Sequence, residues 1–152
     1  MRTSMVWTLV LSVVLAGGLD AGERGTPAEA KALLSKAVAH YKAVGRKQAL
    51  GDFMNRKGGF IDRDLYVACI DADHVTVANG GYPSYVGTSV DAIKDADGKP
   101  LGKTLWETGS KGEGSVAYRW LNPLSHKTED KVSFVQKAGD DVCVVGAYAQ
   151  PR

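Results

Sequence analysis

Three histidines and two cysteines are the imidazole and thiol groups that this 152-residue chain offers a metal. None of His40, His74 and His126 has a second ligand three or four residues away, the spacing of a helix-borne metal site, so no metal is expected. Asp95-Ala96-Asp97-Gly98-Lys99 starts like a calcium loop but lacks its downstream acid, so Asp71, Asp73, Asp95 and Asp97 read as turn formers. No Gly-x-Ser-x-Gly occurs, and no serine or cysteine has a base that can be placed beside it, so no catalytic residue and no cofactor is expected. Gly87-Thr88-Ser89 and Gly112-Glu113-Gly114 do not make a phosphate loop. With 19 basic against 17 acidic residues and no Lys/Arg cluster on one face, a nucleic-acid partner is excluded. Internal repeats, low-complexity tracts and interdomain linkers are missing too.

One long apolar run is present, and it lies at the start. Residues 1–21 read as a secretory signal peptide: Arg2 supplies the positive end, Val6 to Ala16 the apolar stretch, and Ala16, Gly17, Gly18 and Ala21 the small residues at which a peptidase cuts. The run falls short of the roughly 20 apolar residues that span a bilayer. An uncleaved anchor is the alternative. Cleavage leaves residues 22–152 as a single exported domain, secreted or periplasmic, long enough for one core.

Thr26-Pro27-Ala28-Glu29 is a helix start, with threonine at the cap, proline at the first position and glutamate at the third. Ala30, Leu33, Leu34, Ala37, Val38, Tyr41 and Val44 continue one helical face. Gly45 interrupts it, and Ala49, Leu50, Phe53 and Met54 resume it on a shorter helix that Lys57-Gly58-Gly59 stops. From Phe60 the period becomes extended. Strands are expected at Leu65 to Ile70, Val75 to Ala78, Gly114 to Trp120, Lys131 to Lys137 and Val142 to Tyr148. Between the second and third lie a turn-rich stretch, Asn79 to Pro100, and a helix over Leu101 to Thr108 with Leu105 and Trp106 inward. The fold class is therefore α+β: a long N-terminal helix packed on a five-stranded antiparallel sheet with a loop-helix insert.

Several stretches, in order, resemble the single Cache domain, the PAS-like extracytoplasmic sensor of bacterial chemoreceptors and histidine kinases. They are Asp64-Leu65-Tyr66-Val67, Val77-Ala78-Asn79, Pro83-Ser84-Tyr85-Val86-Gly87, Lys94 to Lys99, Gly112-Glu113-Gly114, Tyr118 to Pro123, Lys131 to Val135 and Val145-Gly146-Ala147-Tyr148. The resemblance implies spatial strand order 2-1-5-4-3 and a ligand held between sheet and insert. Two positions depart from it. Asn79 stands where relatives usually carry histidine, and Val86-Gly87-Thr88-Ser89 where they usually read Val-Gly-Lys-Asn. The chain ends at Arg152 without a membrane helix or signalling domain, so what it senses is expected to be passed on by contact or simply held.

Strand alternation puts Val116, Tyr118 and Trp120 on one face and Arg119 on the other. Tyr118 and Trp120 combine apolar area with O–H and N–H donors, which suits a pocket for a small polar molecule and equally suits an ordinary core. Lys131, with Ser133 on its face, reads as a mobile positive charge at a pocket mouth; the alternative is a solvated strand-end lysine. Lys131 is the expected anion contact and Arg119 the reserve. Tyr85 and Asn79 cap the pocket from above, or Asn79 serves the turn at Gly80.

In the strand order implied by the resemblance, Cys69 and Cys143 lie on neighbouring central strands, either as a disulfide, which export permits, or as two buried thiols. The expected function is non-enzymatic sensing of a small organic anion or amino acid, the ligand bridging sheet and insert and ordering Asn79 to Pro100. The alternative is a ligand-free structural module docking on a membrane receptor or sensor kinase, in one form as a homodimer.

Overall fold

The computed structural model describes residues 24–149, so the signal peptide expected over residues 1–21 lies outside the described residues. Helix α1 (Pro27–Val44) begins at the capping box: the Thr26 hydroxyl accepts the Glu29 N–H, and the Glu29 carboxylate accepts the Thr26 N–H at 2.8 Å. Ala30, Leu34, Ala37, Val38 and Tyr41, spaced three and four apart, are the side chains it buries. Gly45 turns the chain at a φ of 84°, which side chains resist, directly into α2 (Arg46–Met54). That helix starts a turn earlier than the apolar pattern places it. Its first residue is polar but anchored: Arg46 donates to the Asp141 carboxylate at 2.9 and 3.2 Å, and the Tyr41 hydroxyl donates to it at 2.9 Å.

Six strands follow: β1 (Ile61–Asp62), β2 (Leu65–Ile70), β3 (Thr76–Asn79), β4 (Glu113–Leu121), β5 (Thr128–Ala138) and β6 (Asp141–Tyr148). They pair antiparallel in the order β1-β2-β6-β5-β4, and β3 also pairs with β2. Leaving out β1, this is the 2-1-5-4-3 order. β1 is the correction to the five-strand expectation, two residues folded tightly back on Leu65 and Tyr66 and too short to show a period.

The sheet divides two cores. On one face α1 and α2 cover Val67, Cys69, Cys143, Val145 and Ala147. On the other, the insert and α3 (Gly102–Ser110) cover Ile70, Val135, Val142 and Val144. Leu105 points inward as expected. Trp106 is only half-buried: its ring packs against His74 at 4.4 Å, and its indole N–H is enclosed with no hydrogen-bond partner.

Cys69 and Cys143 are direct partners across β2 and β6, joined as a disulfide with 4.1 Å between their Cα atoms. The insert is tied down by backbone hydrogen bonds. Thr76 N–H donates to Thr88 O at 2.9 Å, Gly87 N–H to Thr76 O at 2.8 Å, and Val90 N–H to His74 O at 2.8 Å. Asp71 and Asp95 form turns, each accepting two nearby backbone N–H groups.

The two ends of the described chain meet. Arg24 pairs with the Glu129 carboxylate and donates to Ala149 O at 3.2 Å. Beneath it, fully buried Asp64 accepts Gly25 N–H at 2.7 Å and the Asn122 amide at 3.3 Å. No helix among the described residues is long and apolar enough to cross a membrane.

Candidate ligand-binding site

Strand register assembles the site. Tyr118 of β4, Lys131 of β5 and Tyr148 of β6 form one cross-strand row, and Val116, Ser133 and Gly146 form the next, all facing the insert. Between this face and the insert lies a cavity of about 70 Å³. Its apolar wall comes from Ile70, Val90, Ile93, Leu101, Leu105 and Val144. Its polar groups are Lys131, Ser133, Tyr118, Tyr66, Thr76 and Asn79, with Tyr85 and Trp120 at the insert side.

Lys131 is the one charged side chain of that lining, and its setting corrects the sequence reading. β5 opens at Thr128, so Lys131 lies inside the strand, and only 4% of it is exposed. It is a floor residue, held away from solvent. Its ammonium donates to the Tyr66 hydroxyl at 2.9 Å and to the Tyr148 hydroxyl at 3.2 Å, and lies 4.3 Å from the centre of each ring. The Tyr148 hydroxyl donates onward to Leu121 O at 2.7 Å. No carboxylate pairs with Lys131 among the described residues. Burial lowers its pKa to about 7, and the more distant charge of Asp64 only partly opposes this.

Tyr118 and Ser133 share a hydrogen bond of 2.7 Å, and burial pushes the Tyr118 phenol up to about 12, so it stays neutral. Tyr85, Tyr82, Trp120 and Tyr118 make a chain of ring contacts with centroids 6.0–6.4 Å apart. Asn79 lines the cavity and uses its carbonyl oxygen to accept Tyr82 N–H at 2.8 Å, so its NH₂ is not used in that turn. Thus Tyr118, Trp120, Lys131, Asn79, Tyr85 and Ser133 line one cavity. Arg119 does not. It lies on the opposite face, half-exposed, bound to Asp97 at 3.0 Å and near Asp130 at 3.8 Å.

Tyr66, Tyr148, Thr76 and Gly146 are site residues that sequence reasoning missed. Both tyrosines stand in runs of core-like residues, and only the pairing of Lys131 with Tyr148 identifies the second as a lysine partner.

The family model for "Single Cache domain 2" matches residues 21–149. No curated protein matches the chain. Among solved structures, a methyl-accepting chemotaxis protein from Vibrio parahaemolyticus RIMD 2210633 superposes with a TM-score of 0.67 at 20% identity, covering 78% of this chain and 84% of that one. A periplasmic sensor domain of a chemotaxis protein gives 0.61 at 24% identity, covering 80% and 88%. A Cache chemosensory domain described for carboxylic acid recognition gives 0.58 at 24% identity, covering 80% and 86%. Sheet order, the loop-helix insert and the match over residues 21–149 agree: the chain belongs to the single Cache domain 2 family.

Proposed function

We propose that this domain is an extracytoplasmic sensor that binds a short monocarboxylate between its sheet and its insert, and that it transmits rather than transforms. The observation that carries this reading is the composition of the cavity: one buried cation, Lys131, several neutral donors and no acidic side chain. Such a lining suits an anion with a small apolar tail. A free amino acid would bring an ammonium for which the lining has no carboxylate, so organic acids are favoured over amino acids. Size narrows the class further. A cavity of about 70 Å³ is small for a ligand site, which favours short acids over long ones. The carboxylate would face Lys131, Tyr118 and Ser133, with the Asn79 amide above it. The Cache chemosensory domain with carboxylic acid recognition supports the same class. The disulfide and the apolar leader at residues 1–21 support export, with the signal passed by contact to a membrane receptor or sensor kinase.

The test is a thermal-shift titration of the exported protein with acetate, propionate, amino acids and amines. A concentration-dependent rise with the short acids alone is expected, because native-state binding stabilises. Lys131→Met, which keeps the volume and removes the buried amine, should still melt cooperatively and lose the rise. An unchanged response in that variant refutes the role of Lys131. Silence across the panel from a cooperatively melting protein would instead favour a docking module with an unused cavity.

A further inference from the structure

Lys131 has a second capability, which follows from how its amine is surrounded. A neutral amine has two N–H bonds and one lone pair. Here two directions are taken by the hydroxyl oxygens of Tyr66 and Tyr148. The remaining direction has no hydrogen-bond partner among the described residues, and the side chain lines the cavity. In the ammonium that direction is a third N–H; in the neutral amine it is a lone pair, carried by a side chain that lines the cavity.

We propose that Lys131 captures short 2-oxo acids covalently and reversibly, its amine condensing with the ligand's carbonyl carbon while Tyr118, Ser133 and Asn79 receive the carboxylate. This deepens the carboxylate reading and rests on it for the ligand's orientation. In the step, the Nζ lone pair bonds to the carbonyl carbon, and a proton passes from nitrogen to the former carbonyl oxygen, giving a carbinolamine. Carbon–oxygen cleavage with a second proton releases one water and leaves the imine, so the balance is amine plus ketone to imine plus water. No oxidant or reductant takes part. Hydrolysis by the same path frees the ligand.

The chemistry needs a neutral amine, and burial supplies one. With its pKa lowered to about 7, Lys131 holds on the order of a thousandfold more neutral amine at neutral pH than an exposed lysine does. A buried lysine with no anionic partner is the usual setting for such a nucleophile. Acids without a carbonyl would be held by charge alone. Two-oxo acids would add the imine and leave more slowly.

The experiment treats the full exported protein with pyruvate and then borohydride, which fixes an imine as a stable secondary amine. Intact mass and peptide mapping locate the product. One reduced pyruvate per chain is expected at Lys131, at least about tenfold above any exposed lysine such as Lys94 or Lys103, in keeping with the difference in neutral amine. Lys131→Met should lose the label, while labelling of the exposed lysines stays at its background level. Excess propionate should suppress labelling of the wild type. Stabilisation by propionate with no fixed adduct from pyruvate overturns the covalent step and leaves the carboxylate reading standing. Labelling spread evenly over the lysines overturns it as well. Neither adduct nor propionate response overturns both.

Discussion

Gly146 faces Ser133 across the β5–β6 ladder, and a Cβ on it would run into the Ser133 Oγ and the Lys131 Cε. The absent side chain is what lets the lysine stem cross the sheet face to reach Tyr66 and Tyr148. Gly146→Ala should therefore displace both polar floor groups. Overpacking of this kind costs about 1–3 kcal/mol. The expected result is a lower melting temperature together with loss of the short-acid response, while Gly51→Ala, exposed on α2 with open space around it, keeps the response. Normal propionate binding by Gly146→Ala would show that the floor is not the anion site.

Affinity for carboxylates should fall as pH rises through about 7, because only the ammonium form of Lys131 attracts them. Well above that value the loss approaches about tenfold per pH unit. Binding should also take up protons near neutrality, measurable by calorimetry in buffers of different ionisation heat. Folding stability has the opposite sign. The unfolded lysine keeps its proton up to its ordinary value near 10.4 while the folded one loses it near 7, so this group makes stability rise with pH across that window. Lys131→Met should lose both slopes, and melting curves of the two proteins from pH 6 to pH 9 check this.

Arg119 and Tyr118 are sequence neighbours on opposite faces of β4, and their substitutions should separate cleanly. Arg119→Ala removes an exposed pair with Asp97, for which less than about 1 kcal/mol is typical, and should leave ligand affinity unchanged. Tyr118→Phe keeps the ring but takes one hydroxyl from the Ser133 pair, so affinity should drop about tenfold, the equivalent of one lost hydrogen bond. Isothermal titration of both with propionate decides, and equal losses would place the site elsewhere.

Thiol titration of the denatured protein without reductant should find no free thiol, since Cys69 and Cys143 are bonded. The bridge links strands 74 residues apart in sequence, and the double alanine variant should lose about 2–4 kcal/mol. Two titratable thiols in the exported protein would refute the bond.

The Arg24–Glu129 pair gives an acid signature. Its hydrogen bond with Arg24 is the main reason that the Glu129 carboxyl is lowered to about 2. The stability it contributes is complete above the ordinary carboxylate range and is lost as pH falls from there toward 2. The stability difference between wild type and Glu129→Gln should stay flat from pH 7 to about 5 and shrink below that. A constant difference down to pH 2 would show that the pair is not linked to folding.

What could be read from residues alone follows from how local each signal is. The cap at Thr26, the apolar stripe of α1 and the limits of β2 depend on neighbours within a few positions, and they were legible. Alternation also separated Tyr118 and Trp120 from Arg119. The setting of Lys131 was not legible. Whether a lysine near a strand start is solvated or enclosed depends on where β5 opens and which β6 residue it meets, and register is a long-range property. The same holds for the cysteines: strand order made them neighbours, but only register puts Cys69 opposite Cys143. Asn79 ends β3 and serves both the turn and the cavity, a double duty that neither reading alone anticipated.

Because Arg24 touches Ala149, both ends of the described fold leave it at one point. Closely spaced ends make a domain tolerant of circular permutation and of insertion into a loop of another protein. A short linker joining residue 149 to residue 24, with new ends opened at the exposed Gly98 turn, should give a permutant with the same cavity. A fluorescent protein split by this domain would then have its two halves held side by side, at the place where the Asp64–Asn122–Glu129 hydrogen bonds run beneath Arg24. The junction is thus a natural position for building an optical reporter of whatever the cavity holds.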